Sequence, residues 1–420
     1  MSQLDPTTGA DSRFIAFSHS AYTKYWTARF LATFATQIVA VAVGWQIYAL
    51  TRNPADLGII GLVQFLPLLI LVFVTGSVAD RYGRRTVMAW AIAAELVCGC
   101  AILWFSIDGL TSPLPVFVAL TGFGIARAFF VPASQSLVVN LVPRQHFPNA
   151  VAWNSSAWQI ASIAGPVAGG LLYGLGANIA YGTAVVFFVA ALILVLLIPK
   201  PGRKRDVQKV DFRSVFEGLR YIRRQKVVLG AISLDLFAVL SGGVVALLPV
   251  FASDVLELGP WGLGLLRAAP GIGAVMVAVW LAASPVRDHA GRIMFICVGL
   301  FGFFTVLFGV STTAWVSIIC LGLIGAADMV SVYIRETLLQ LWTPDDVRGR
   351  VNAVNMVFLG ASNELGEFRA GFMAAWIGVV PAAVFGGVSA MVIAGVWAYA
   401  FPQLRNIRHL DRGPDQEAGL

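Results

Sequence analysis

The chain reads Gly76-Ser-Val-Ala-Asp-Arg-Tyr-Gly-Arg-Arg85 between two long apolar segments. This stretch combines one carboxylate, at Asp80, with three arginines and two glycines. Each flanking segment is near the length of about 20 residues that an α-helix needs to cross a bilayer. A tight basic turn between two such segments does not fit the core of an ordinary soluble protein. The stretch therefore predicts a short polar loop between two membrane-spanning helices.

The composition indicates the same class of protein. The chain has 420 residues, of which 58% are hydrophobic and 12% charged, and its mean hydropathy is +0.80. A soluble protein carries about 25% charged residues. The four cysteines lie in apolar segments without metal-ligand spacing, and the four histidines lie in termini or loops. We therefore expect no metal and no cofactor. Because neither GxxxxGK[ST] nor HExxH occurs, we expect neither an ATP-driven pump nor an enzyme.

Apolar segments of spanning length recur along the chain and predict an all-α membrane protein. We place twelve spans at about 26–50, 57–79, 86–107, 114–139, 149–173, 178–198, 226–251, 261–283, 293–311, 314–341, 351–376 and 380–401. A polar linker at 199–225 separates a bundle of six helices at 26–198 from a second at 226–401. Residues 1–25 and 402–420 form the polar ends. Within the linker, apolar residues at helical spacing predict an amphipathic helix on the membrane surface, and a solvated linker without a helix is the alternative.

Basic residues are distributed unevenly among the loops. If the N-terminus is cytoplasmic, cytoplasmic segments hold 23 of the 29 Lys and Arg residues, and the external loops hold only Arg52. The positive-inside rule then predicts that both termini are cytoplasmic. The net charge of +7 follows from this orientation, so we expect a lipid bilayer and no nucleic acid as partner.

Several positions repeat between the two halves of the sequence. Asp80 and Gly83 recur as Asp288 and Gly291, and Arg127 recurs as Arg335, each at an offset of 208 residues. A duplicated six-helix unit is typical of alternating-access carriers, whose substrate site lies between the halves.

These residues carry a family resemblance. The loop at 76–85 resembles the loop 2–3 motif of the major facilitator superfamily, and Gly165-Pro166 resembles the Gly-Pro motif of its proton-coupled efflux members. Residues 128–133, 235–240 and 343–353 followed by 362–367 resemble the branch that includes the enterobactin exporter and the macrolide-efflux proteins. The resemblance covers about residues 25–400. It implies the major facilitator fold, with two pseudo-symmetric six-helix bundles, and a monomeric secondary transporter.

The resemblance also implies roles for the loop and for span five. Asp80 would bind the N-terminal end of span eleven, where free N–H groups and the helix dipole stabilise a carboxylate. This contact would close the cytoplasmic side in the outward-open state, and a loop that only sets topology is the alternative. The predicted cytoplasmic gate comprises Gly76, Asp80, Arg81, Gly83, Arg84, Arg85 and Arg350, whose arginines would add ion pairs across the halves. Gly165 and Pro166 are the predicted hinge.

Charged residues within the spans are candidates for proton coupling. Each costs about 2.5–3.5 kcal/mol at a helix centre, so it persists when it is paired, faces a cavity or serves function. A carboxylate shielded from water can load and release a proton as access alternates. The candidates are Asp235, Asp328, Glu364, Arg127 and Glu95. Structural ion pairs are the alternative, which we favour for Glu336, Glu367 and Arg369.

Polar and aromatic residues of the spans predict a cavity that suits bulky amphipathic molecules. The candidate lining residues are Thr33, Gln37, Asn154, Trp158, Phe237, Ser241, Arg335 and Asn355. The prediction is an exporter in a bacterial inner membrane that moves a siderophore or a drug-like compound out in exchange for protons. Three alternatives share the fold: a proton-independent facilitator, a lysophospholipid flippase and a metabolite importer. A receptor or scaffold that transports nothing is a further alternative.

Overall fold

A computed structural model describes residues 11–199, 212–286 and 288–410. Within these ranges the backbone alone is described at positions 11, 12, 72, 73, 76, 77, 79, 80, 212–217, 345 and 346. The described residues form helices, and no β-strand occurs among them. The predicted all-α class is confirmed.

Six long helices precede the linker in the described chain. They are α1 (Ser20–Thr51), α2 (Pro54–Tyr82), α3 (Arg84–Asp108), α4 (Leu114–Leu137), α5 (Phe147–Leu175) and α6 (Ala177–Leu196). Gly83 separates α2 from α3 in a single residue because it adopts φ +90°, a conformation that a side chain disfavours. The backbone conformation between α2 and α3 therefore explains why position 83 is a glycine.

The described helices after the linker begin with a short one, α7 (Phe212–Arg224). They continue with α8 (Lys226–Gly242), α9 (Leu248–Val250), α10 (Gly259–Ala283), α11 (Ala290–Val310), α12 (Ala314–Leu341), α13 (Asp345–Ile377), α14 (Val379–Ala400) and α15 (Pro402–Arg405). Each predicted span coincides with a helical segment, and most ends agree within a few residues.

Span seven differs from the continuous helix predicted for residues 226–251. α8 ends at Gly242, and Gly243 adopts an extended conformation with φ −60° and ψ 126°. A 3-10 turn, α9 and a π-helical turn at Phe251–Val255 follow. Two consecutive glycines lower the helical preference at the break, and Pro249 begins the new segment without needing a backbone donor.

The apolar character of the helices supports a membrane protein. Ten helical segments of the described chain are long and apolar enough to cross a bilayer. α5 and α13 lie outside this set because polar residues interrupt them, as Glu364, Glu367 and Arg369 do in α13. Large apolar side chains such as Trp104, Val118 and Trp376 are exposed on the helices, which suits a lipid-facing surface.

α7 packs against other helices of the second unit, and its predicted place on the membrane surface stays a prediction. Ile222 is buried with Val228, Ile232 and Val351, and Leu219 packs against the same cluster. A Cβ atom at Gly218 would lie 2.8 Å from the carbonyl oxygen of Arg350, so the backbones of α7 and α13 are in contact. The amphipathic helix is present as predicted, and its described apolar side chains face α8, α12 and α13.

The segment before α1 docks on α5. Residues Asp11–Ser18 form a 3-10 helix with a kink at Phe14. The Trp153 indole N–H donates to the carbonyl oxygen of Arg13 at 2.9 Å, and the Phe14 ring stacks on Trp153 at 5.1 Å. This part of the predicted polar N-terminus is therefore held to the helices.

The contacts divide the chain into two compact units. The first comprises the described residues of Met1–Ala42 and Leu66–Lys209, and the second comprises those of Val43–Phe65 and Val210–Leu420. The segment Val43–Phe65 groups with the second unit because α2 touches α13 closely: a Cβ atom at Gly58 would lie 2.8 Å from the carbonyl oxygen of Phe368. The predicted bundle boundaries at 26–198 and 226–401 stay a prediction.

Candidate transport site

A buried ion pair joins α8 to α12 in the second unit. Arg335 is 1% exposed and binds the Asp235 carboxylate through Nη1. Its Nε lies 3.7 Å from Glu336 Oε1, and Asn355 Nδ2 of α13 donates to the same oxygen at 3.0 Å. Charged and polar side chains from three helices thus form one network.

A small cavity adjoins this network. Its volume is about 10 Å³, at the lower limit for one water molecule, and it is lined by Asp235, Ala238, Val239, Cys297, Val298, Phe301, Ala327, Asp328 and Ser331. Asp328 and Ser331 lie on α12 one helical turn apart, and Asp328 interacts electrostatically with both Asp235 and Arg335. The structure therefore brings together two coupling candidates, Asp235 and Asp328, with the lining candidate Arg335.

A second charged group joins α10 to α13. The guanidinium of Arg267 interacts electrostatically with Glu367 and Glu364, and its buried Nε has no hydrogen-bond partner among the described residues. A Cβ atom at Gly61 of α2 would lie 3.0 Å from Glu364 Oε2. Glu364 and Glu367 thus share the Arg267 guanidinium, and α2 packs closely against Glu364 at Gly61.

Arg369 fixes the break in span seven. Its Nε donates to the carbonyl oxygen of Leu240 at 3.0 Å, near the end of α8. That carbonyl loses its ordinary helical partner when the helix ends at Gly242, so the arginine satisfies it. This contact is a structural one to the backbone, and the ion pair favoured for Arg369 stays a prediction.

In the first unit, Glu95 of α3 is deeply buried. It is 2% exposed, and its Oε2 has no hydrogen-bond partner among the described residues. Arg127 of α4 interacts with it electrostatically but is itself an exposed residue. Of the two coupling candidates described in this unit, Glu95 is therefore the buried one and Arg127 the exposed one.

The lining candidates of the first unit lie on α1 and α5. Asn154 is buried, and its Oδ1 accepts a hydrogen bond from the Tyr22 hydroxyl at 3.5 Å. Thr33 Oγ1 donates to the carbonyl oxygen of Arg29 at 2.8 Å, so this hydroxyl donates its hydrogen bond within α1. Gln37 lies against α5 at Gly165, and Trp158 is an exposed side chain of α5.

Our sequence analysis missed a polar cluster beside Asn154. The Tyr25 hydroxyl donates to the carbonyl oxygen of Ser134 at 2.8 Å, and Arg29 Nη1 donates to the Tyr25 oxygen at 3.4 Å. Tyr22 and Tyr25 are both fully buried. Their i, i+3, i+7 spacing with Arg29 was the available signal, because it places the three side chains on one face of α1.

Phe237 and Ser241 lie apart from the cavity next to Asp235. The Phe237 ring packs on Trp397 of α14, with the ring centroids 5.2 Å apart. The carbonyl oxygen of Ser241 lies 2.9 Å from the position of a Cβ at Gly386, also in α14. Neither residue lines the cavity of Asp235 and Asp328.

The arginines of the quoted loop bind within the first unit. Arg84 Nη1 donates to the carbonyl oxygen of Ser136 at 2.7 Å, and Arg85 Nε donates to that of Val195 at 3.0 Å. A cation at a helix C-terminus stabilises the exposed carbonyl groups there. Arg85 thus binds the end of α6, and the predicted ion pairs across the halves stay a prediction. Arg81 lies over the Tyr82 ring, 5.6 Å from its centroid.

The remaining predicted gate residues are Gly76, Asp80 and Arg350, and the predicted hinge residues are Gly165 and Pro166. The side chains at Gly76 and Asp80 lie outside the described residues, and Arg350 contacts α7 through its backbone. α5 runs unbroken through Gly165 and Pro166, and a Cβ at Gly165 would lie 2.6 Å from Gln37 Cβ. Gly165 is thus a point of close packing, and its role as a hinge stays a prediction.

Comparisons with known proteins agree over nearly the whole chain. The sequence profile of the family described as "Transmembrane secretion effector" matches residues 11–418. The enterobactin exporter EntS of Escherichia coli strain K12 is 25% identical over 405 residues, which cover 93% of this chain and 94% of the exporter. The enterobactin exporter of Shigella dysenteriae serotype 1 has the same identity and coverage.

Solved structures share the fold at lower identity. A bacterial homolog of the human lysosomal transporter Spinster has a TM-score of 0.70 at 13% identity, covering 93% of this chain and 97% of that one. A bacterial homologue of the iron transporter ferroportin has a TM-score of 0.64 at 17% identity, with coverage of 92% and 99%.

Proposed function

The chain belongs to the transmembrane secretion effector family of the major facilitator superfamily, and we propose that it exports a bulky amphipathic compound in exchange for protons. The observation that carries this proposal is the buried group of Asp235, Asp328 and Arg335, in which two carboxylates share one guanidinium beside a small cavity. A charge left uncompensated inside a membrane protein is costly, which favours a functional use.

The similarity to enterobactin exporters supports an amphipathic cargo, a siderophore or a drug-like molecule. Aromatic side chains on α1 add to this support. The Trp26 and Phe30 rings stack with their centroids 5.6 Å apart, and the Phe34 ring follows at 5.6 Å from Phe30. A continuous aromatic surface favours flat or apolar molecules over small sugars. This is the class of substrate that we propose.

Asp328 is the residue that we propose to carry the proton. The guanidinium of Arg335 already binds Asp235 and lies near Glu336, so an ionised Asp328 adds a negative charge that this arginine does not balance. A proton on Asp328 removes this charge, and its loss restores it. The protonated and the ionised form of Asp328 would each favour a different orientation of the carrier. Proton binding and release would then be coupled to the change between inward-open and outward-open states.

Two other carboxylates compete with Asp328 for this role. Glu364 shares Arg267 with Glu367 and therefore offers the same imbalance of charge. Glu95 lies in the first unit, and its Oε2 has no hydrogen-bond partner in the described part of the chain. Each has a simple neutral substitution, so the three sites can be compared in one assay.

The decisive experiment measures substrate-induced proton flux in liposomes that hold the purified carrier. The ligands are a catecholate siderophore, a macrolide, a cationic dye and a lysophospholipid. The variants are Asp328→Asn, Asp235→Asn, Glu364→Gln and Glu95→Gln, and Asp108→Asn at the exposed end of α3 is the matched control. We expect proton flux with one ligand, lost in Asp328→Asn and kept in Asp108→Asn.

Exchange of labelled substrate without net flux should survive in Asp328→Asn, because binding does not need the proton.

Other outcomes contradict parts of the proposal. Ligand movement without proton flux, insensitive to all four variants, favours a facilitator or a flippase. Inward movement that follows the substrate gradient favours an importer. Loss of flux in Glu364→Gln or Glu95→Gln alone moves the proton site away from Asp328.

The remaining features of the proposal concern the setting of the carrier. We propose a monomer in a bacterial inner membrane with both termini in the cytoplasm. The uneven distribution of Lys and Arg supports this orientation.

A further inference from the structure

A basic recess lies where α11 begins and the chain after α14 folds back. Its volume is about 340 Å³, and it is lined by His289, Arg292, Arg405, Asn406, Ile407 and Arg408. Three of these six residues are arginines, and none of the described lining residues is acidic. The recess lies apart from the charged groups of α8, α12 and α13, so the proposed transport function makes no use of it.

The backbone holds this recess in place. The segment after α14 crosses the start of α11: the amide of Gly291 donates to the carbonyl oxygen of Ile407 at 3.1 Å, and that of Ala290 donates to Arg408 at 3.3 Å. A Cβ at Gly291 would lie 1.9 Å from the carbonyl oxygen of Leu404, so only glycine allows this approach. The arginines therefore stand on a fixed support.

The sequence of the crossing segment separates its apolar and basic sides. Leu404, Ile407 and Leu410 are buried in the hydrophobic core of the second unit. Arg405 and Arg408 lie between them and are exposed residues. This spacing of three residues anchors the segment by its leucines and isoleucine and turns the arginines outward.

The local charge favours an anion. Asp288 borders the recess, but its carboxylate binds its own neighbour: Oδ2 lies 3.0 Å from His289 Nδ1, and Oδ1 accepts the amide of His289 at 2.7 Å. The first amides of α11 are occupied by the crossing segment, so side chains supply the donors. Guanidinium groups bind phosphate through two parallel hydrogen bonds, which suits an arginine cluster to a phosphate group.

Exposed apolar side chains continue from the recess along α11. Arg292 starts a stripe at intervals of three or four residues, which is one face of a helix. Its further members are Ile296, Leu300, Phe303 and Leu307, all exposed. α14 ends at Ala400, five residues before Arg405 of the recess, and it carries a similar exposed stripe of Phe385, Val388, Val392, Val396 and Tyr399.

We propose that this recess binds the head group of an anionic phospholipid, whose acyl chains lie along α11 and α14. The arginines of the recess would bind the phosphate group, and the exposed apolar side chains of α11 and α14 would contact the acyl chains. A free phosphate ion would use the arginines alone. Basic pockets at the cytoplasmic ends of spanning helices are known to hold such head groups. The bound lipid would fasten the segment after α14 to the start of α11.

The test is native mass spectrometry of the purified full chain in detergent with phosphatidylglycerol or phosphatidylcholine. The variants are Arg292→Gln, Arg405→Gln and the double variant, with Arg144→Gln, an exposed arginine before α5, as matched control. One arginine near an anionic membrane surface is worth a factor of about five in binding, so the double variant should bind phosphatidylglycerol about thirtyfold more weakly. Arg144→Gln should bind as the unchanged protein does.

The conservative variants Arg292→Lys and Arg405→Lys keep the charge and the fold, and they should retain most of the binding. Three results would overturn the proposal. The first is phosphatidylcholine binding as tight as phosphatidylglycerol binding, the second is a loss of binding in Arg144→Gln as large as in the double variant, and the third is complete displacement of the lipid by millimolar inorganic phosphate. The last result, if it occurred, would assign the recess to a free anion.

Discussion

At the scale of single residues, burial separates two ion pairs of the second unit. Arg335 binds Asp235 at 1% exposure, whereas Arg52 binds Asp254 at 2.9 Å with 64% of its side chain exposed. Removing one partner of a buried pair leaves an unpaired charge without water, which costs about 3–5 kcal/mol. An exposed pair contributes about 0–1 kcal/mol because water and salt screen it. Breaking an arginine–aspartate pair therefore costs more stability where the pair is buried than where it is exposed.

This contrast gives a prediction for stability. Arg335→Gln should lower the free energy of unfolding by about 3–5 kcal/mol, because it leaves the Asp235 carboxylate buried and unpaired. Arg52→Gln is the matched control and should cost less than about 1 kcal/mol. Chemical unfolding in detergent micelles, followed by tryptophan fluorescence, measures both. The double variant Asp235→Asn with Arg335→Gln should recover part of the loss, and equal effects of Arg335→Gln and Arg52→Gln would contradict the argument.

At the scale of helices, glycine sets how closely α10 and α12 approach. A Cβ at Gly325 would lie 1.9 Å from the carbonyl oxygen of Pro270, and one at Gly273 would lie 1.8 Å from that of Gly322. Small residues let membrane helices touch through their backbones, where van der Waals packing drives association. α11 and α14 use the same device: a Cβ at Gly302 would lie 2.5 Å from the Gly387 carbonyl oxygen.

Alanine at these crossings should separate the helices. Gly325→Ala should destabilise the second unit by about 1–3 kcal/mol, because the backbone of α10 has to move away. Gly299→Ala on α11 is the control: no atom lies within 4 Å of its Cβ position. It should leave stability unchanged or raise it by up to about 1 kcal/mol through helix propensity. Thermal unfolding in detergent compares the two, and equal melting temperatures would argue against backbone contact at Gly325.

At the scale of the whole molecule, the loops carry the information on orientation. The segments that connect the helices alternate between ones that hold Lys or Arg residues and ones nearly without them, and Arg52 is the only arginine or lysine of the predicted external loops. Arg144 and Arg223 lie in segments that we predict to be cytoplasmic, between α4 and α5 and at the end of α7. The membrane potential and the insertion machinery retain basic loops in the cytoplasm.

Labelling of single cysteines tests this orientation. In a variant without the four native cysteines, Arg52→Cys should react with a membrane-impermeant maleimide in intact cells. Arg144→Cys and Arg223→Cys should react only after the membrane is permeabilised. The charge asymmetry is the reason for the difference, and total labelling with a permeant maleimide is the control. Reaction of Arg144→Cys in intact cells would reverse the orientation and would place the basic recess on the outer side.

The sequence by itself determined the class of the protein, most helix ends and the predicted orientation. Hydropathy, the basic turn at residues 76–85 and Gly83 act through neighbouring residues, so they can be read along the chain. Only the tertiary structure decided that Arg335 binds Asp235, that α7 packs on α13 and that Arg405 joins Arg292 at one recess. These pairings join residues far apart in sequence. They depend on how each helix is rotated and how closely it packs, which many weak contacts settle together.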